Sequence, residues 1–110
     1  MIAIKHGIPK HDYFSIVLPE NKENSYKAFN WQNQSNYEYP TVELTDPVTN
    51  KVQLARPLEV LKFNVDEMPT YLTLLSYGHV PADLAQVLKK RYPSLQFPGA
   101  LVEFWLLVKI

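Results

Sequence analysis

The alternation of apolar and polar residues predicts a strand in the segment PTVELTD. Val42 and Leu44 are separated there by a glutamate and flanked by threonines, so the two apolar side chains lie on one face of an extended chain. A short opening strand is also expected at Ile2–Lys5. The segment HDYFSIVLP fits either a strand or one face of a helix, because so short a run does not let periodicity decide.

The last eleven residues, ALVEFWLLVKI, are predicted to form a buried strand near 100–109. They are rich in Val, Leu, Phe and Trp, and Glu103 is the one acidic residue among them. Since neighbouring side chains on a strand point to opposite faces, one of Phe104 and Trp105 should face the interior of a barrel. The other should pack under helices on the opposite face.

A turn in DPVTNK is expected to join the strand of PTVELTD to the segment KVQLARPLEVLKFN. Apolar residues alternate in that second segment at Val52 and Leu54 and again at Leu58 and Val60. Pro57 interrupts the pattern. Because proline has no N–H to donate to a sheet, we expect a bulge or a sheet edge at this position.

Two consecutive helices are predicted near 67–77 and 81–91. Asp66 is a candidate N-cap for the first helix, and Gly78 suits its end because glycine adopts a positive φ readily. Tyr92–Pro93 should end the second helix. Helical spacing marks the residues expected to face the core: Met68, Leu72 and Leu75 in the first helix, and Leu84, Val87 and Leu88 in the second.

Composition fits one compact domain over residues 1–110. The apolar fraction is 46%, and eleven basic residues balance eleven acidic ones, so a protein that coats nucleic acid by net charge alone is excluded. The chain has no cysteine, and His6, His11 and His79 lack metal-ligand spacing, so neither a metal site nor a cofactor is expected. No apolar run is long enough to cross a bilayer, so we expect a cytoplasmic protein without membrane contact.

With Phe63, Asp66, Gly78, Tyr92–Pro93 and Val102–Phe104 in this order, the C-terminal half resembles the ASCH branch of the PUA-like superfamily. The resemblance covers about half the chain, over LEVLKFNVDEMPTYLTLLSYGHVPADLAQVLKKRYPSLQFPGALVEFWLLV. The residues that carry it are Phe63, Asp66, Gly78, Leu84, Leu88, Tyr92–Pro93 and Val102–Phe104. The implied fold is α+β: a small mixed PUA-like β-barrel with two consecutive helices between long strands.

The signature of the family is a glycine, any residue, a lysine, two residues, an acidic or hydroxyl residue, one residue and an arginine. Lys22, Ser25 and Lys27 match its spacing, with lysine in place of the arginine, while Glu20 stands where the family has glycine. The resemblance implies a ligand cleft between barrel and helices, lined by the signature lysine. PUA-like domains bind RNA or modified bases there.

The first functional hypothesis is therefore a module that binds RNA or a modified nucleoside. The expected ligand-binding residues are Lys22, Ser25, Tyr26, Lys27 and Trp31. Lysines suit phosphate contacts, and aromatic rings suit base stacking. An equally simple interpretation of this segment is a polar surface loop with aromatic residues that cover the edge of a barrel.

Two alternatives remain open. Some compact ASCH proteins resemble amidohydrolases that act on an acylated cytidine, and that chemistry would use Lys22, Ser25 as nucleophile and a glutamate at the end of the first helix. Tyr77 falls at the glutamate position, and Glu59 is a candidate substitute on the preceding strand. The second alternative is an interaction protein that kept the fold without the site. The oligomeric state and the identity of the ligand do not follow from the sequence.

Overall fold

The computed structural model describes residues 2–19, 41–94 and 99–110. In chain order the elements are β1 (Ile2–Lys5), β2 (Tyr13–Pro19), β3 (Val42–Thr45), β4 (Val52–Asn64), a 3-10 turn (Val65–Glu67), α1 (Thr70–Tyr77), α2 (Pro81–Arg91) and β5 (Leu101–Lys109). The predicted α+β class and the strands near both ends are confirmed. The segment HDYFSIVLP, which periodicity left open, is a strand.

The five strands form one sheet that curls into a half-barrel, in the order β1-β3-β4-β5-β2. β1 pairs with β3 in parallel, and all other neighbours are antiparallel. β1 and β2, which come first in the chain, therefore lie at the two opposite edges. The curled sheet and the two helices agree with the coarse architecture expected from the sequence.

A bulge in β4 lies next to Pro57, as its missing N–H predicts. The pairing with β5 shifts register between Pro57 and Glu59. Ala55 and Pro57 are buried before the bulge, and the apolar positions of the predicted alternation, such as Leu54 and Leu58, are exposed instead. The bulge adds one residue, so Val60 returns to the face that Ala55 occupies and packs against the core there.

The first helix begins later than predicted, and Asp66 is not its N-cap. Asn64 caps the short 3-10 turn instead, since its side chain accepts a hydrogen bond from the Asp66 N–H at 3.0 Å. Met68 then adopts an extended backbone, as a residue before proline prefers, and Pro69 becomes the N-cap of α1. The C-terminal end is confirmed, because Gly78 has a φ of 70° and its N–H donates to the Leu74 carbonyl.

The predicted core face of α1 is partly wrong, whereas that of α2 is confirmed. Met68 and Leu72 are buried, but Leu75 is half exposed. The start of α1 at Thr70 places Leu72, Thr73 and Ser76 toward the sheet. In α2, the observed bounds are the predicted ones, and Leu84 and Leu88 are fully buried.

The sheet separates two hydrophobic cores. The interior core fills the concave side with Ile4, Phe14, Ile16, Leu18, Val42, Leu44, Ala55, Trp105 and Leu107. The helix-side core packs between the sheet and the helices and contains Val17, Val65, Met68, Leu72, Leu84, Leu88, Val102 and Phe104. The expectation that Phe104 and Trp105 face opposite sides is confirmed, with Trp105 in the interior.

Candidate ligand-binding seam

The residues that the sequence proposes for a binding cleft lie outside the described part of the chain. They are Lys22, Ser25, Tyr26, Lys27 and Trp31. The described neighbours of this segment are the end of β2 at Pro19 and the start of β3 after Thr41. β2 is at one edge of the sheet, and β3 lies beside the strand at the other edge.

The two remaining candidates, Glu59 and Tyr77, lie within the described residues and in different surroundings. Glu59 lies on β4 at the bulge, opposite Leu106, and its side chain is exposed. Tyr77, which the resemblance to ASCH proteins aligns with their glutamate, is the last residue of α1 and is half buried. The hydrogen bonds of Tyr77 within the described ranges go to His6 and Arg91, not to Glu59.

The last turn of α1 contacts both edges of the sheet. Ser76 of α1 forms a hydrogen bond with Ser15 of β2. The next residue, Tyr77, contacts His6, which directly follows β1. We call this region the seam, and define it by five side chains: His6, Ser15, Ser76, Tyr77 and, from the end of α2, Arg91.

In the serine pair of the seam, the hydroxyl protons of Ser15 and Ser76 are both already donated in hydrogen bonds. The Ser76 hydroxyl donates to the Leu72 carbonyl at 2.8 Å, a bond typical of a serine within a helix. A hydroxyl has only one proton, so Ser15 must donate to Ser76. The described residues place no general base against either oxygen. The pair therefore fastens α1 to β2 and is not an activated nucleophile.

The other three side chains form a chain of hydrogen bonds with one consistent direction. His6 Nδ1 is 2.7 Å from the Gly7 carbonyl oxygen, which can only accept, so we assign the ring proton to Nδ1. His6 Nε2 then accepts from the Tyr77 hydroxyl at 3.1 Å. The Tyr77 oxygen in turn accepts from the Arg91 guanidinium at 3.3 Å. Arg91 therefore donates to Tyr77, and Tyr77 donates to His6.

Burial favours the uncharged forms of His6 and Tyr77, the two titratable rings in this series of hydrogen bonds. Burial lowers the pKa of His6, the hydrogen bond with Gly7 opposes this effect, and the nearby Arg91 charge adds to it. Burial raises the pKa of Tyr77, and Arg91 opposes the change. At neutral pH the seam thus carries one formal charge, that of Arg91.

His6 is a buried residue of the seam that was not predicted from the sequence. Its side chain is 7% exposed, and its ring lies 5.7 Å from that of Tyr77, centroid to centroid. The available signal was its position directly after the strand Ile2–Lys5, two residues beyond the buried Ile4. His11 and His79 are exposed, and no cluster of three metal-ligating residues exists in the described ranges.

Glu103 is a second group that sequence reasoning left aside. Its carboxylate is fully buried on the interior face of β5, opposite Leu18 on one neighbouring strand and Lys62 on the other. Trp105, two residues on, shares that face. The signal was present, because an acidic residue at the alternating position of a buried strand must enter a core.

Neither helix in the described ranges is long and apolar enough to cross a membrane. Comparison of the chain with protein-family models, with curated proteins and with solved structures found no match in any of the three.

Proposed function

We propose that this chain is a small ASCH/PUA-like module that binds RNA or a modified nucleoside in the cleft between half-barrel and helices. Lys22 and Lys27 provide phosphate contacts in this proposal, and Tyr26 and Trp31 provide stacking surfaces. Ser25 contributes a hydroxyl for hydrogen bonding. The resemblance of the C-terminal half to ASCH proteins motivates the class of ligand.

The observation that carries the proposal is the chemistry of the seam. The seam lies at the junction of the sheet with both helices, which is where the resemblance expects the ligand. It places the positive charge of the exposed Arg91 beside the half-buried ring of Tyr77. A cation beside a neutral ring suits a nucleotide, since phosphate needs positive charge and a base needs a flat apolar surface.

The same chemistry favours binding over catalysis. A hydrolase needs a nucleophile or water beside a base. The serine hydroxyls of the seam are committed to other partners, and Tyr77 holds its proton more tightly than an ordinary tyrosine. Glu59 is exposed on β4, and within the described ranges no hydrogen bond joins it to the seam.

For the amidohydrolase alternative, the buried carboxylate to test is that of Glu103, which lies on the concave face of the sheet with Trp105 and not on the helix side. We expect no detectable deacylation of an acylated cytidine by the wild-type protein. Robust turnover that is lost in both Ser25→Ala and Glu103→Gln, with folding retained, would support the hydrolase and contradict the binding proposal. Turnover that survives Ser25→Ala would point to a contaminant.

The binding proposal is tested by titrating a short, labelled single-stranded RNA at several salt concentrations. We expect saturable binding that weakens with salt, and a loss of about 0.7 from the log–log salt slope for each phosphate contact removed in Lys22→Gln or Lys27→Gln. Trp31→Ala should weaken binding with an almost unchanged slope, because stacking releases no counterions.

The negative outcome is equally informative. If neither the RNA nor free nucleosides bind saturably at low salt, the module proposal is wrong, and the interaction protein that kept the fold without the site becomes the better account. Binding that is identical in wild type and in the double lysine variant would remove Lys22 and Lys27 from the site.

A further inference from the structure

Arg91 contacts two aromatic residues. Its Nη1 donates to the Tyr77 hydroxyl at 3.3 Å, and its Cζ lies 6.0 Å from the centroid of the Tyr92 ring. Both rings are half buried against the helix-side core. Arginine side chains are usually mobile, so this arrangement lowers the entropy that a ligand contact would cost.

The Arg91 guanidinium nevertheless has N–H donors available for a ligand. Arg91 is exposed, and its single hydrogen-bond acceptor among the described residues is the Tyr77 hydroxyl. No acidic side chain pairs with it within the described ranges. The one acidic residue of α2, Asp83, lies in the first turn, about 12 Å away along the helix axis. Most donors of the fork therefore remain available to an anion.

The charge around Arg91 is positive despite its position at a helix end. The C-terminus of a helix carries roughly half a negative charge, which opposes anion binding. Lys89 and Lys90 precede Arg91 in the same turn, so three full positive charges outweigh the dipole. The dipole explains why cations are tolerated at this end, but it does not explain why one of them is oriented by two rings.

We propose that Arg91 is the phosphate-binding residue of the seam and that Tyr77 is its positioning residue. The ligand class is a phosphate ester of a nucleotide, either a phosphodiester of RNA or a terminal phosphate, and the fork of Arg91 contacts two of its oxygens. This proposal rests on the proposed function and adds a phosphate contact at the end of α2 to those proposed for Lys22 and Lys27.

The test compares Arg91→Gln with Lys90→Gln, which removes the same charge one residue away. The probes are a short single-stranded RNA, uridine 5′-monophosphate and uridine. In Arg91→Gln we expect RNA affinity at low salt to fall by about tenfold and the salt slope to fall by about 0.7. In Lys90→Gln the affinity should change by less than about twofold, because a flexible exposed lysine makes no fixed contact.

Two further variants separate charge from geometry. Arg91→Lys should keep the salt slope and lose affinity severalfold, since a lysine cannot form the bidentate contact. Tyr77→Phe should also keep the slope and lose affinity, because the charge remains while its orientation is lost. A purely structural role for Arg91 would change thermal stability in Arg91→Gln without any difference in salt slope.

The ligands distinguish the two sources of phosphate. If the monophosphate binds more tightly than uridine, and Arg91→Gln removes only that difference, the contact is to a terminal phosphate. If only the RNA responds to Arg91→Gln, the contact is to a phosphodiester. Binding by the wild type with equal behaviour of Arg91→Gln and Lys90→Gln overturns this assignment alone, and absence of all binding by the wild type overturns the proposed function with it.

Discussion

The two helices of this chain lie side by side but differ in how their surfaces are divided. α2 is amphipathic: Leu84 and Leu88 are buried, and the end of the helix carries its exposed cations. α1 contains no charged residue, and its apolar residues occur on both sides. Leu72 is buried against the sheet, while three apolar side chains face outward, namely Tyr71, Leu74 and Leu75.

This difference teaches where hydrophobic periodicity is informative. In α2 the polar residues mark the solvent side, so the pattern gives both the bounds and the buried face. In α1 an apolar residue does not identify the core, because apolar residues occur all around the helix. The face of α1 is instead selected by Met68 and Pro69, which fix where the helix begins, and by the Ser15–Ser76 hydrogen bond.

The largest effect should come from truncating the buried leucines. Leu88→Ala in α2 and Leu72→Ala in α1 should each lower the free energy of unfolding by about 2–5 kcal/mol, because each leaves a cavity in the helix-side core. Leu75→Ala, the matched control on the outer side of α1, should cost less than about 0.5 kcal/mol. Urea denaturation measures all three. Equal losses for Leu72 and Leu75 would mean that α1 packs on a different face.

The hydroxyl of Tyr77 should have the next largest effect. Tyr77→Phe leaves the ring in place but removes the donor to His6 and the acceptor of Arg91. We expect a loss of about 1–3 kcal/mol, since the buried His6 Nε2 then has no partner. Tyr71→Phe is the control, because Tyr71 lies exposed on the same helix. It should remain within about 0.5 kcal/mol of wild type in the same urea assay.

The seam shows what could and could not be predicted. Strand alternation correctly separated Phe104 from Trp105, because the two-residue period is a local property of the backbone. The contact of His6 with Tyr77 joins residues far apart in the chain, and it depends on the curl of the sheet, which brings an edge strand to the end of α1. No local pattern contains that curl. The predicted cleft residues Lys22 to Trp31 lie outside the described ranges, so their role remains a prediction.

A smaller effect is expected at the end of α1. Gly78→Ala should cost about 1–2 kcal/mol, because alanine resists the φ of 70° that closes the helix. An added Cβ would meet no atom within 4 Å, so the cost comes from the backbone and not from a clash. Gly7→Ala is the control, since Gly7 has equal space and no positive φ. Thermal unfolding should show a lower Tm for Gly78→Ala alone.

The smallest effect is the pH dependence contributed by His6. Burial lowers the pKa of His6 in the folded protein below the ordinary 6.5. As the pH falls below about 6.5, the unfolded chain therefore takes up a proton more readily than the folded one, so stability decreases on acidification. The decrease stops once the pH is below the folded pKa, because both states are then protonated.

In the folded protein this proton would enter at Nε2, where the Tyr77 hydroxyl now donates and where the Arg91 charge is near. His6→Gln removes the titrating ring, so its free energy of unfolding should change less than that of wild type between pH 7.5 and pH 5.5. His79→Gln, which alters an exposed histidine beside α1, should keep the wild-type dependence. Urea denaturation at the two pH values measures this difference. A wild type and a His6→Gln variant with the same pH dependence would show that the seam accepts the proton without cost, with His6 Nε2 then donating to the Tyr77 oxygen, while Arg91 can still only donate.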